Sequence, residues 1–246
     1  MTPVTIGYWL AVLGFAIGLG IVAALRLSLD DSPHKQALTY LAVIPIGAGI
    51  AYAVMALDIG TIQINGLTLV VPRYIDWLVT TPLLVGFVGY VASAPRRAIG
   101  LSMAADVAMV VTGLIAVITS GAIRWTFFAM SSAFYLGILY YLYIDFPKYL
   151  SEDYAQVGLY SLLKIHIGLL WIAYPVVWIA GSNGFGFATA AGISLTYAFL
   201  DVFAKVPYVY FFYTRREYFA ASSVTTSKQA GSADADSIDA IESYDA

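Results

Sequence analysis

Cysteine is absent from the 246-residue chain, so it has no disulfide framework, no thiolate nucleophile and no cysteine-held metal. Histidine occurs only twice, which weakens any metal reading further. Charge is scarce too: Asp, Glu, Lys and Arg make up 11% of the residues, against about 25% in an ordinary soluble domain. With 61% hydrophobic residues, a globule dissolved in water is excluded. The formal net charge of −3 offers no basic surface for nucleic acid. Five of the acidic residues, Asp234, Asp236, Asp239, Glu242 and Asp245, crowd the last stretch of chain, and before residue 222 the balance is 11 basic to 10 acidic.

What remains is long apolar sequence. Seven stretches, about 4–27, 38–59, 72–92, 97–118, 123–145, 157–180 and 188–213, are each long enough to cross a bilayer at about 20 residues per helix. Breakers and charges separate them, among them Asp31-Ser32-Pro33, Pro95-Arg96-Arg97 and Ser182-Asn183-Gly184. The expected fold is an all-α membrane protein, a seven-helix bundle over 1–220, followed by a disordered acidic cytoplasmic tail over 221–246. The first stretch lacks the basic leader of a signal peptide and is too long for its apolar core. Between spans 2 and 3, residues 60–71 alternate apolar and polar around Asn65-Gly66, which predicts a short extracellular β-hairpin. Lys35, Arg96, Arg97, Lys148, Arg215 and Arg216 follow the odd-numbered spans, so the positive-inside bias puts the amino terminus outside and the carboxyl terminus in the cytoplasm.

Charges at membrane depth carry the chemical information, because a central Asp, Lys or Arg costs about 2.5–3.5 kcal/mol even on the mildest scale. Asp76, Asp106, Asp201 and Lys205 stand out. A structural ion pair or a snorkelling side chain is the plain alternative for each. For Lys205 it is weak, since the residue lies well inside the last span with Asp201 one turn earlier on the same face. An amine so placed can condense with an aldehyde into a Schiff base kept cationic by carboxylates, with Asp76 and Asp201 as counterions. Trp171, Tyr174 and Trp178 share one face of span 6 and Trp77 adjoins Asp76, large flat side chains that suit a polyene, although such stripes also serve as ordinary packing.

Three segments, Arg73-Tyr74-Ile75-Asp76-Trp77-Leu78 with Thr80-Thr81-Pro82, Trp171-Ile172-Ala173-Tyr174-Pro175-Val176-Val177-Trp178, and Asp201-Val202-Phe203-Ala204-Lys205, resemble the signatures of archaeal microbial (type 1) rhodopsins. The resemblance covers all seven spans. It implies all-trans retinal on Lys205 as a protonated Schiff base and photoisomerisation to 13-cis. It also implies Asp76 as proton acceptor, Asp201 as second counterion and Arg73 as organiser of extracellular water. Trp77, Thr81, Met109, Gly113, Phe128, Ser131, Trp171, Tyr174 and Trp178 would line the retinal site, with Thr81 and Asp106 paired beside it and Tyr174 bonded to Asp201.

Within that family, proton pumps carry an internal carboxylic donor where this chain has Phe87, and a releasing glutamate pair where it has Asn183 and Ile193. Slow reprotonation follows, which suits signalling. The wording around Lys164-Ile165-His166 and Lys205-Val206-Pro207-Tyr208 is closest to sensory rhodopsin I, with His166 implied in signal relay. Pro72 and Phe87 look more like sensory rhodopsin II, a mixture found in the middle rhodopsins. The implied function is a phototaxis photoreceptor, not an enzyme, signalling to a two-helix methyl-accepting transducer in the cell membrane. A slow outward proton pump is the alternative, and a homo-oligomer is left open. Tyr197, Phe199 and Tyr208 are read as lipid-facing or packing residues rather than as partner contacts.

Overall fold

The computed structural model describes residues 1–29, 35–64, 66–215 and 217; the expected acidic tail, the turn residue Asn65, Arg216 and the Asp30–His34 segment lie outside them. Helix α1 (Pro3–Ser28) opens with Thr2 accepting from the Thr5 amide at 3.2 Å and with Pro3 in its first turn, where a missing N–H costs nothing. The second span is α2 (Lys35–Leu41) followed by α3 (Val43–Ala56). Pro45 cannot donate to the Leu41 carbonyl, which explains the break at Ala42.

The hairpin forms where the alternation predicts it. Strands β1 (Thr61–Ile64) and β2 (Leu67–Val70) pair antiparallel in the register Thr61↔Val70 to Ile64↔Leu67, and Gly66 takes the left-handed φ of 74° that a two-residue turn requires. Then come α4 (Val71–Val91), α5 (Arg96–Ile118) and α6 (Gly121–Tyr140), the last prolonged by a π-helical turn (Tyr141–Asp145) and a 3₁₀ turn (Phe146–Tyr149). The sixth span is α7 (Tyr154–Leu170) continued by α8 (Ala173–Ala180). Pro175 leaves the Trp171 carbonyl without its usual donor, and the Tyr174 amide bonds it instead at 3.2 Å, tightening the chain into a kink. Helix α9 (Ala190–Thr214) closes the bundle against α1, with Pro207 inside it.

Six of these spans are apolar and long enough to cross a membrane. The seventh, α9, falls short of the same standard because Asp201 and Lys205 lower its hydropathy. The radial order is that of a protein solvated by lipid: Leu10, Leu13, Ile17, Leu136, Leu169, Val176 and Phe199 are all more than half exposed, while Arg73, Asp76, Thr80, Asp106, Asp201 and Lys205 are buried. The half of the interior toward the carboxyl-terminal ends of α1, α4 and α9 holds one continuous apolar cluster running from Val22 and Leu25 through Leu84, Phe87 and Leu163 to Phe212.

Candidate functional site

Lys205 of α9 is 1% exposed, and its amine reaches across to α4, where it pairs with Asp76 Oδ2 at 2.5 Å. The Thr80 hydroxyl, one turn along α4, lies 3.1 Å from the other carboxylate oxygen, Oδ1. Asp201 is built differently. Its carboxylate accepts from three helices at once: Tyr52 Oη of α3 at 2.5 Å, Trp77 Nε1 of α4 at 3.0 Å and Tyr174 Oη of α8 at 2.7 Å. Among the described residues Lys205 has one ion-pair partner, Asp76. Asp201, the expected second counterion, is outside ion-pair distance of the Lys205 amine and accepts from these three donors instead.

Arg73 occupies the first turn of α4 and is buried beneath aromatic rings rather than free at a helix end. Its guanidinium donates to Tyr8 Oη at 3.3 Å and lies 5.2 Å from the centre of the Tyr197 ring, an arrangement in which ring faces take the place of a carboxylate. Its Nε has no partner among the described residues.

From the Lys205 amine a cavity runs between α4, α5, α6, α8 and α9. Every residue expected to line a retinal site, namely Trp77, Thr81, Met109, Gly113, Phe128, Ser131, Trp171, Tyr174, Trp178 and Lys205, does line it. The lining is overwhelmingly carbon. Trp77 packs edge-on to Tyr174 and Tyr197, with centroids 5.4 and 5.5 Å away, and Phe128 stacks on Trp178 at 4.5 Å. At Gly113 a Cβ would come within 3.3 Å of Ser131 Oγ, so glycine keeps the cavity wide where α5 faces α6. Thr81 Oγ1 lies 2.7 Å from Asp106 Oδ2, the pairing expected, and the buried Asp106 Oδ1 has no partner among the described residues.

Several functional neighbours escaped the sequence reading. Tyr52, Tyr8 and Tyr197 carry no warning in a span, since tyrosine is inexpensive there. Thr80 does carry one, its i+4 spacing from Asp76. Of the three aromatic residues of α9 read as lipid-facing or packing, Phe199 does face outward, whereas Tyr197 lines the cavity and Tyr208 is wholly buried. His166 is apart from the cavity, with Nε2 3.3 Å from the Ala204 carbonyl and its ring edge-on to Phe211.

The chain that places a lysine amine against a carboxylate at one end of this aromatic-walled cavity matches the family model of bacteriorhodopsin-like proteins over residues 2–216. The chain belongs to the bacteriorhodopsin-like family. It is 56% identical over 216 residues to sensory rhodopsin-1 of Halobacterium sp. strain SG1, a match covering 88% of this chain and 87% of that protein. It is 53% identical over 220 residues to sensory rhodopsin I of Haloarcula marismortui, covering 89% and 93%. Among solved structures, cyanorhodopsin from Calothrix superposes with a TM-score of 0.84 at 29% identity, covering 89% of this chain and 98% of that one. Proteins of this family bind retinal through a lysine Schiff base. The residues present fit that group: a lysine buried alone of its kind among the described residues, an apolar enclosure and flat side chains on its walls.

Proposed function

We propose that this rhodopsin is a phototaxis photoreceptor that signals to a two-helix methyl-accepting transducer in the membrane. The observation that carries the reading is Phe87. It is buried in the apolar cluster between Tyr90 and Phe212, so at this position the route from Lys205 to the cytoplasmic end carries an apolar ring in place of an acid that could return a proton quickly.

When bound on Lys205 as a protonated Schiff base, retinal supplies the light-driven all-trans to 13-cis isomerisation. The chain's own groups do the rest. Asp76, opposite the Lys205 nitrogen, accepts its proton, and Thr80 steadies the carboxylate that receives it. Asp201, fixed by Tyr52, Trp77 and Tyr174, keeps a compensating carboxylate nearby, and Arg73 extends the polar network toward the extracellular side. Trp77, Trp171, Tyr174 and Trp178 line the cavity and would keep water from a bound polyene, and Met109, Gly113, Phe128 and Ser131 would help hold it. His166 supports a relay role. It bridges α7 to α9 at the Ala204 carbonyl, beside Lys205 and just before Pro207, so a displacement of the lysine's turn reaches α7 through this contact.

The basic residues after the odd-numbered spans support an extracellular amino terminus and a cytoplasmic carboxyl terminus. The bundle over 1–220 is one retinal-binding domain, and the 221–246 segment a separate acidic tail.

All-trans retinal added to the purified protein should raise a visible absorbance band that Lys205→Ala abolishes. Recovery after a flash should be slow and quickened by azide. Millisecond recovery without azide, together with light-driven acidification of a vesicle suspension that a protonophore abolishes, would establish outward pumping instead. Co-purification with a two-helix transducer encoded beside the gene tests the partner.

A further inference from the structure

Helices α4 and α9 are joined less by backbone packing than by side chains that reach across between them. The backbone of α4 packs chiefly on α3 and α5, and that of α9 on α1 and α7. Three ties bridge the pair. Trp77 Nε1 donates to Asp201 at 3.0 Å, the Lys205 amine pairs with Asp76 at 2.5 Å, and Tyr208 Oη donates to the Leu84 carbonyl at 2.6 Å. Leu84 lies eight residues beyond Asp76, about 12 Å further along α4 at about 1.5 Å per residue, so of these three the third alone lies on the cytoplasmic side of the amine.

The ties differ in what they depend on. The first two involve carboxylates, and charge strengthens such bonds about twofold. A proton passing from the Lys205 nitrogen to Asp76 removes both charges of the middle tie. The third joins a neutral phenol to a backbone carbonyl and is indifferent to that transfer. It is also wholly buried, and its ring leads into an aromatic column in which Tyr208 meets Phe212 at 5.2 Å and Phe212 meets Phe87 at 4.6 Å.

We infer that Tyr208 is a positioning residue: its hydroxyl fastens the lysine-bearing turn of α9 to Leu84 of α4 independently of charge, and so limits the movement of the cytoplasmic half of α9 once the Lys205–Asp76 pair is discharged. The inference rests on the proposed function only for the proton transfer that discharges the pair. Leu84 is an interior residue of α4, so its carbonyl retains a helical partner when the phenol is removed, and Tyr208→Phe keeps every ring contact.

Amide hydrogen exchange of residues 204–212 in the full-length protein tests the inference, comparing wild type, Tyr208→Phe, Asp76→Asn and the double variant. Asp76→Asn stands in for the discharged pair. With the middle tie intact, Tyr208→Phe should change exchange less than about twofold; in the Asp76→Asn background it should accelerate exchange about fivefold, the worth of one net hydrogen bond of about 1 kcal/mol. The same factor in both backgrounds, or none in either, would reduce Tyr208 to a packing residue and overturn the inference. Exchange is read before retinal is added, so a protein that fails to form pigment would defeat the photoreceptor reading and leave this measurement standing.

Discussion

Asp76 and Lys205 form an ion pair at 2.5 Å across α4 and α9, whereas Asp201, one turn from Lys205 on its own helix, is outside ion-pair reach. Asp201 instead accepts from donors on three other helices. One carboxylate thus sits against the amine, and the other is a hydrogen-bonded acceptor.

Removing the charge of the pairing carboxylate should change the colour. In Asp76→Asn the cation on the Lys205 nitrogen loses its adjacent counter-charge, its positive charge spreads further along the polyene, and absorption moves to longer wavelength. The comparison is a visible spectrum of both proteins, taken over the same range of pH. Coincident maxima would refute Asp76 as the electrostatic partner.

The donors to Asp201 should be costly to remove. Tyr174→Phe and Tyr52→Phe each delete a hydroxyl that donates to this buried carboxylate, at 2.7 and 2.5 Å, and each should lower stability by about 1.5–3 kcal/mol. Because both serve one acceptor, the double variant should depart from the sum of the two. Thermal unfolding of the four proteins in one detergent measures both effects.

Gly168 has a steric reason to be glycine. The Tyr143 phenol lies against its backbone, and the Tyr135 hydroxyl donates to its carbonyl at 2.9 Å. A Cβ there runs into the Tyr143 ring, so Gly168→Ala should destabilise by about 1–3 kcal/mol through overpacking. Tyr143→Ala in the same chain should recover most of that loss in a thermal melt, which a general defect of α7 would not allow.

Phe87→Asp should speed recovery. A carboxyl group three turns from Asp76 along α4 supplies an acid within the apolar cluster, and flash recovery should become faster and lose much of its response to azide. Recovery as slow as in the wild type, in a variant that still forms pigment, would show that another step limits proton return.

Much of the bundle was legible from composition alone. Spans 1, 3, 4 and 7 begin and end within a few residues of the apolar stretches that predict them, and the hairpin turns at the expected dipeptide. Trp171, Tyr174 and Trp178 were recognisable as one face, and all three line the cavity despite the kink at Pro175. Tyr52 and Tyr197 were not recognisable. In a membrane helix the lipid-facing and core-facing positions are both apolar, so periodicity does not separate them, and a tyrosine suits either side.

The sequence by itself determined that the chain is a membrane bundle with an amine and carboxylates at a depth where they need a purpose. The energy of placing apolar runs and charges in hydrocarbon is set largely by local composition, which the sequence states directly. Only the tertiary structure decided which carboxylate meets Lys205, that Asp201 is bound by three other helices, and that Tyr208 points inward to Leu84. All of those pairings but Tyr174 with Asp201 join positions more than a hundred residues apart, and all exist only once the helices close around a common interior.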